Sequence, residues 1–161
     1  MSQRRPIRAY ADTSVFGGVF DEEFADDNSA FFARAARGEV LVLISAITEA
    51  ELRLAPDRVQ GVLSELPSAA IERADLAPEV DVLADEYLRA GVVGPRWLND
   101  AMHVAAATIA RADVLVSWNF KHIVRFDRVR GFNAVNYGLG YAQIAITSPA
   151  EVRYAGESED L

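Results

Sequence analysis

The sequence predicts one α/β domain built on a central, mainly parallel sheet of about four or five strands, and three observations predict it. Val40 to Ile44 and Val114 to Val116 are short, unbroken apolar runs, the pattern of strands buried on both faces. These runs alternate with longer segments of helical period, which implies parallel strands joined by right-handed crossovers. The length, 161 residues, suits a single hydrophobic core.

Taken in order, Ile7 to Ala11 reads as the first strand, followed by the turn-rich Gly17-Gly18 and the acidic run Asp21 to Glu23. Asn28 or Ser29 caps a helix that carries Phe31, Phe32 and Ala35 and ends at Gly38. After the Val40 to Ile44 strand, one helix runs from about Ala46 to Leu54, and Pro56 opens another through Leu66. Pro78 starts a helix over Val80 to Arg89, ended by Gly91 and Gly94. Trp97 to Ala112 is apolar nearly all round and so belongs in the interior. The strand Val114 to Val116, a helix around Phe132 to Leu139, a strand at Ile144 to Ile146 and Pro149 complete the domain, residues 1–154. Residues 155–161 form an acidic, flexible tail.

Composition removes several chemistries. There is no cysteine, so disulfides, thiolate zinc sites and cysteine nucleophiles are excluded. The remaining ligands are oxygen donors and two histidines, a set that favours Mg²⁺ or Mn²⁺ over zinc. The basic start, Met1 to Arg8, leads into no apolar core of signal-peptide length, and Ala101 to Ala110 is too short to span a bilayer. The expectation is a cytoplasmic protein with no membrane attachment. A formal net charge of −8 opposes bulk attraction to nucleic acid. Positive charge is nevertheless concentrated at Lys121, Arg125, Arg128 and Arg130, a segment that either meets phosphate or forms a solvated surface.

Ligands of open parallel sheets gather outside the carboxyl ends of the strands. The first strand ends in Asp12-Thr13-Ser14, the second runs through Ser45 into the helix bearing Glu51, and the third ends in Ser117-Trp118-Asn119. Ile47, Glu51 and Leu54 share one helical stripe, which places Glu51 inward and Glu49 on another face. An inward carboxylate needs an arginine, a metal or a proton. Asp100 poses the same question at the start of the buried helix, although a helix N-terminus also favours an acid for its own sake. Carboxylates converging on one edge suit a divalent cation, whose chemistry includes activating water and clamping a phosphate. No Gly-x-Ser-x-Gly elbow, phosphate-binding Walker loop or dinucleotide glycine fingerprint is present.

Three segments, Tyr10-Ala11-Asp12-Thr13-Ser14-Val15-Phe16, Ser45-Ala46-Ile47-Thr48-Glu49-Ala50-Glu51-Leu52-Arg53 and Asn99-Asp100-Ala101-Met102-His103-Val104-Ala105-Ala106-Ala107, follow in the order seen in PIN-domain proteins. Over nearly the whole chain the sequence resembles their bacterial VapC-type toxin branch. The resemblance implies a three-layer α/β/α fold and Mg²⁺- or Mn²⁺-dependent cleavage of RNA by in-line attack of water, leaving a 5′-phosphate and a 3′-hydroxyl. It also implies a homodimer and an antitoxin partner encoded alongside. Carried over, Asp12, Glu51 and Asp100 are the metal-binding acids, Ser14 orients Asp12, and Ser117 supports the site. The fourth acidic position of many relatives is Asn119 here, a neutral and weaker ligand that lowers affinity for a second ion.

Lys121, His122 and Arg125 are the candidate RNA contacts, with Trp118 able either to stack a base or to fill the core. His103 reads more readily as a neutral, hydrogen-bonded packing residue than as a catalytic or phosphate-contacting group. Trp97, Phe31 and Phe32 are assigned to packing or a dimer face. Two other readings stand beside the ribonuclease. One is a catalytically weak PIN-like module that binds RNA or a protein, favoured by Asn119 and the net acidity. The other is a phosphatase with Asp12 as nucleophile, disfavoured because position 14 is serine rather than aspartate.

Overall fold

The computed structural model describes residues 4–154; the segment read as an acidic tail, 155–161, lies outside them. Five parallel strands form one sheet: β1 (Ile7–Ala11), β2 (Val40–Ile44), β3 (Ile71–Arg73), β4 (Val114–Val116) and β5 (Ala145–Thr147). Their spatial order is β3-β2-β1-β4-β5. From β1 the chain builds outward to one side through β2 and β3, then crosses to the other for β4 and β5. The order therefore reverses beside β1, and that is where such sheets open a crevice at their carboxyl edge.

Alternation along the strands makes three layers. Tyr10, Leu43 and Leu115 face one side, packed with α5 (Pro78–Arg89), α6 (Leu98–Ile109) and α7 (Phe126–Gly138). Ala9, Ala11, Val42, Ile44, Val114 and Val116 face the other. There they meet α1 (Thr13–Gly17), α2 (Ala25–Ala36), α3 (Ala46–Arg53), α4 (Asp57–Glu65) and α8 (Pro149–Tyr154). In α5 the buried residues Val80, Leu83, Ala84 and Tyr87 follow helical spacing, with Pro78 at its first turn. In α6 every residue from Val104 to Thr108 is buried, in keeping with its apolar composition. No described helix is long and apolar enough to cross a membrane.

The sheet has the expected number of strands and parallel character, and its fifth strand, β3, is one that the sequence pattern did not reveal. Three expectations need correction. Helix α2 starts at Ala25 rather than at a cap on Asn28 or Ser29; Asn28 is inside it and fully buried. Helix α7 starts at Phe126, six residues before the expected Phe132. In α3 the buried stripe is Thr48 and Leu52, whereas Leu54, the C-cap, is 90% exposed. The spacing Ile47, Glu51, Leu54 was therefore not the inward stripe, and Glu51 flanks the buried face instead of lying in it.

Candidate active site

Asp12 follows β1 directly, Ser45 follows β2 and Ser117 follows β4, so parallel pairing brings all three to one edge. Asp12 is buried, and its backbone N–H donates to Val116 O (3.2 Å), tying it to the neighbouring strand. Both of its carboxylate oxygens are held by hydroxyls. Ser14 Oγ donates to Oδ1 (2.5 Å) and Ser117 Oγ donates to Oδ2 (2.9 Å). Each serine is fixed in turn from behind: Ser14 Oγ accepts from Trp118 N and Ser117 Oγ from Asn119 N, both at 2.9 Å. The loop after β4 thus sets the direction of the first acid. Burial raises the Asp12 pKa above its ordinary value; the nearby His103 and the two hydroxyls oppose that shift, and Asp100 adds to it.

Asp100 lies in the first turn of α6 and is partly buried. Its pKa is also raised, first by burial and then by Glu51, against the lowering influence of His103, His122 and the Asn119 side chain. The electrostatic coupling of Asp12 with Asp100, and of Asp100 with Glu51, brings the three sequence-predicted acids into one neighbourhood. They are not closed into a cage: among the described residues, no three His, Asp or Glu side chains are gathered as a ready metal site.

Glu51 accounts for the gap. Its Oε1 is 2.6 Å from His103 Nε2, and His103 Nδ1 is 2.8 Å from Tyr10 Oη, which is 2.8 Å from Ser45 Oγ. His103 is buried, as expected of a packing residue, and its neighbours favour the protonated ring over the neutral one anticipated. Burial disfavours its charge, yet Tyr10, Glu51 and Asp12 outweigh that and raise its pKa above 6.5. Tyr10 escaped the sequence reading, although one clue was available: a lone tyrosine in an apolar strand, two residues before Asp12, needs a hydrogen-bond partner when buried.

Asn119 Oδ1 accepts the backbone N–H of His122 (3.0 Å), which occupies one of its two lone pairs, and the Asn119 side chain lowers the pKa of Asp100. Among the expected RNA contacts, Lys121 is exposed, Arg125 pairs with Asp127 (2.7 Å), and His122 stacks on Trp97 at 3.8 Å between ring centroids. Phe24 covers one face of Trp118 in a parallel stack at 4.0 Å.

The Trp118 indole Nε1 donates to Asn28 Oδ1 (3.0 Å), and Gly18 leaves the room for this pair. A Cβ on Gly18 would overlap both Asn28 Nδ2 and the indole. Gly18→Ala is therefore expected to destabilise the fold by about 1–3 kcal/mol, the usual cost of overpacking, and to redshift the tryptophan emission as Trp118 loosens. Thermal unfolding followed by fluorescence measures both.

A cavity of about 340 Å³ opens beside Asp100, lined also by Arg96, Trp97, Leu98, Asn99 and Asn119. A larger one, about 450 Å³, lies among α3, α4 and β3 and contains none of the three acids, so size does not identify the site.

No family model and no curated protein matches the chain. Among solved structures, a chain of VapBC2 from Rickettsia felis, bound to a DNA fragment from its promoter, is similar at 21% identity with a TM-score of 0.52. The match covers 71% of this chain and 89% of that one. At this identity the likeness is one of fold, and the architecture it describes is the three-layer, PIN-like α/β/α sandwich.

Proposed function

We propose that the protein is a metal-dependent endoribonuclease, the toxin of a toxin–antitoxin pair. The observation that carries this reading is a buried Asp12 at the sheet's switch point, aimed by two hydroxyls and electrostatically coupled to Asp100. Two acids with raised pKa values, each raised further by a neighbouring acid, are unfavourable as bare anions and suit a hard divalent cation between them. The lack of a closed cage accords with Mg²⁺, which keeps several waters and is often held by one or two carboxylates plus substrate phosphate. Asp12 and Asp100 would hold the ion, and Glu51 would join by turning from His103. When bound, Mg²⁺ or Mn²⁺ supplies the charge that activates water and stabilises the phosphate in transit. The chain's own part is to fix the Asp12 carboxylate through Ser14 and Ser117, lower the Asp100 pKa through Asn119, and hold Glu51 by His103.

The motif resemblance and the fold likeness to a VapBC2 chain support an antitoxin partner, and the motif resemblance alone implies a homodimer. A second reading, a binding module with weak catalysis, is favoured by the engagement of Glu51 with His103 and by the neutral Asn119. End-labelled single-stranded RNA separates the two. The nuclease should cleave it with Mg²⁺ or Mn²⁺, stop in EDTA, and lose at least about a hundredfold in Asp100→Ala, since even outer residues at metal sites contribute 10–100-fold. Cleavage that survives chelation, or that Asp100→Ala leaves intact, would remove the assignment.

A further inference from the structure

We propose that the cavity lined by Arg96 and Trp97 binds one nucleotide of single-stranded RNA next to the scissile phosphate. Arg96 pairs with a phosphate and Trp97 stacks the base. This rests on the ribonuclease reading and names how the same site takes its substrate. At about 340 Å³ the cavity has room for one nucleotide, near the small end for ligand pockets. Two of its lining residues, Asp100 and Asn119, belong to the proposed catalytic edge, so a nucleotide held there adjoins Asp100.

The two other key residues match the two parts of a nucleotide. Arg96 is exposed and forms no ion pair with any described residue, although the chain carries a formal charge of −8 and Asp100 lines the same cavity. Its guanidinium rests over the Trp97 ring, 5.6 Å from the centroid. Trp97 is 37% exposed, and its ring is stacked on His122 with 23° between the planes. A base can replace the guanidinium on the indole, and the released Arg96 can then turn to phosphate. The exchange gives up a cation–π contact for base stacking and a charge-assisted hydrogen bond. His122 thereby acts as a backing for Trp97.

The test is fluorescence anisotropy of the full chain with a short labelled single-stranded RNA in EDTA, where metal-dependent cleavage is silent. Trp97→Ala should weaken binding about tenfold, within the range of losing one stacked base, and Trp97→Phe should restore most of it. Arg96→Ala should weaken binding and reduce the salt slope by roughly 0.7, the share of one phosphate contact on a single strand. Unchanged affinity in both alanine variants, or no binding by the parent chain, overturns the subsite. If the parent chain cleaves RNA with Mg²⁺ while both variants bind normally, the subsite falls and the nuclease stands. If the variants lose binding to a chain that never cleaves, the subsite stands and the nuclease falls.

Discussion

Asp12→Asn is expected to abolish metal-dependent RNA cleavage while making the metal-free protein more stable. Both effects come from the same buried carboxylate. Burial raises its pKa above the ordinary 3.8, so the fold binds a proton more tightly than the unfolded chain does. Stability therefore falls as pH rises from the unfolded value through the raised folded one, so at neutral pH burial of this acid is a net cost. Asparagine keeps the shape and removes the charge. Its Oδ1 can accept from Ser14 as Asp12 Oδ1 does, and its N–H₂ can donate to Ser117 once that hydroxyl turns toward Ser14, 3.5 Å away. A gain in stability is expected, because asparagine carries no charge to desolvate. Urea unfolding in EDTA at pH 4 and pH 7 measures it: the gain should be present at pH 7 and shrink at pH 4. Mg²⁺ should raise the Tm of the parent chain and leave that of Asp12→Asn nearly unchanged. A variant less stable than its parent at pH 7 would mean that the carboxylate is stabilised by its two hydroxyls more than burial penalises it.

Some of this arrangement was legible in the residues alone, and the division follows physical lines. Val40 to Ile44 and Val114 to Val116 announce buried central strands because both of their faces must be apolar. Asp12 and the Ser117 to Asn119 segment could then be placed on one edge by the rule for parallel sheets. Strand β3 was hidden because Ile71-Glu72-Arg73 is short, lies at the sheet's edge and carries two charged residues. The early start of α7 was hidden because Phe126, 78% exposed, contributes no inward-facing signal. Asn28 resembles a helix cap in sequence; only the distant indole of Trp118 makes it a buried helix-interior acceptor. Asn119 likewise turns on a hydrogen bond from the His122 backbone that a loop, not a period, determines. Residue type located the acids, while their partners required tertiary contacts.

His103→Ala should cost roughly 2–3 kcal/mol of stability, below the about 3–5 kcal/mol of a fully buried broken pair because the Glu51 side chain is about a third exposed. The ring spans Tyr10 and Glu51, so its removal leaves a void beside β1 and frees the carboxylate it holds. Its effect depends on pH with a definite sign. A base whose folded pKa is raised above 6.5 contributes its charge-dependent stability fully below that value and loses it as pH rises toward the folded one. The gap between parent and variant in urea unfolding should therefore be widest near pH 6 and narrow through pH 9. A constant gap would make His103 a neutral packing residue in the folded chain. The same variant bears on the carboxylates, because His103 lowers the pKa of both Asp12 and Asp100. Without it, protons compete more strongly for those acids. Any metal-dependent cleavage by His103→Ala should thus have its acid limb displaced to higher pH, beyond what lost stability explains.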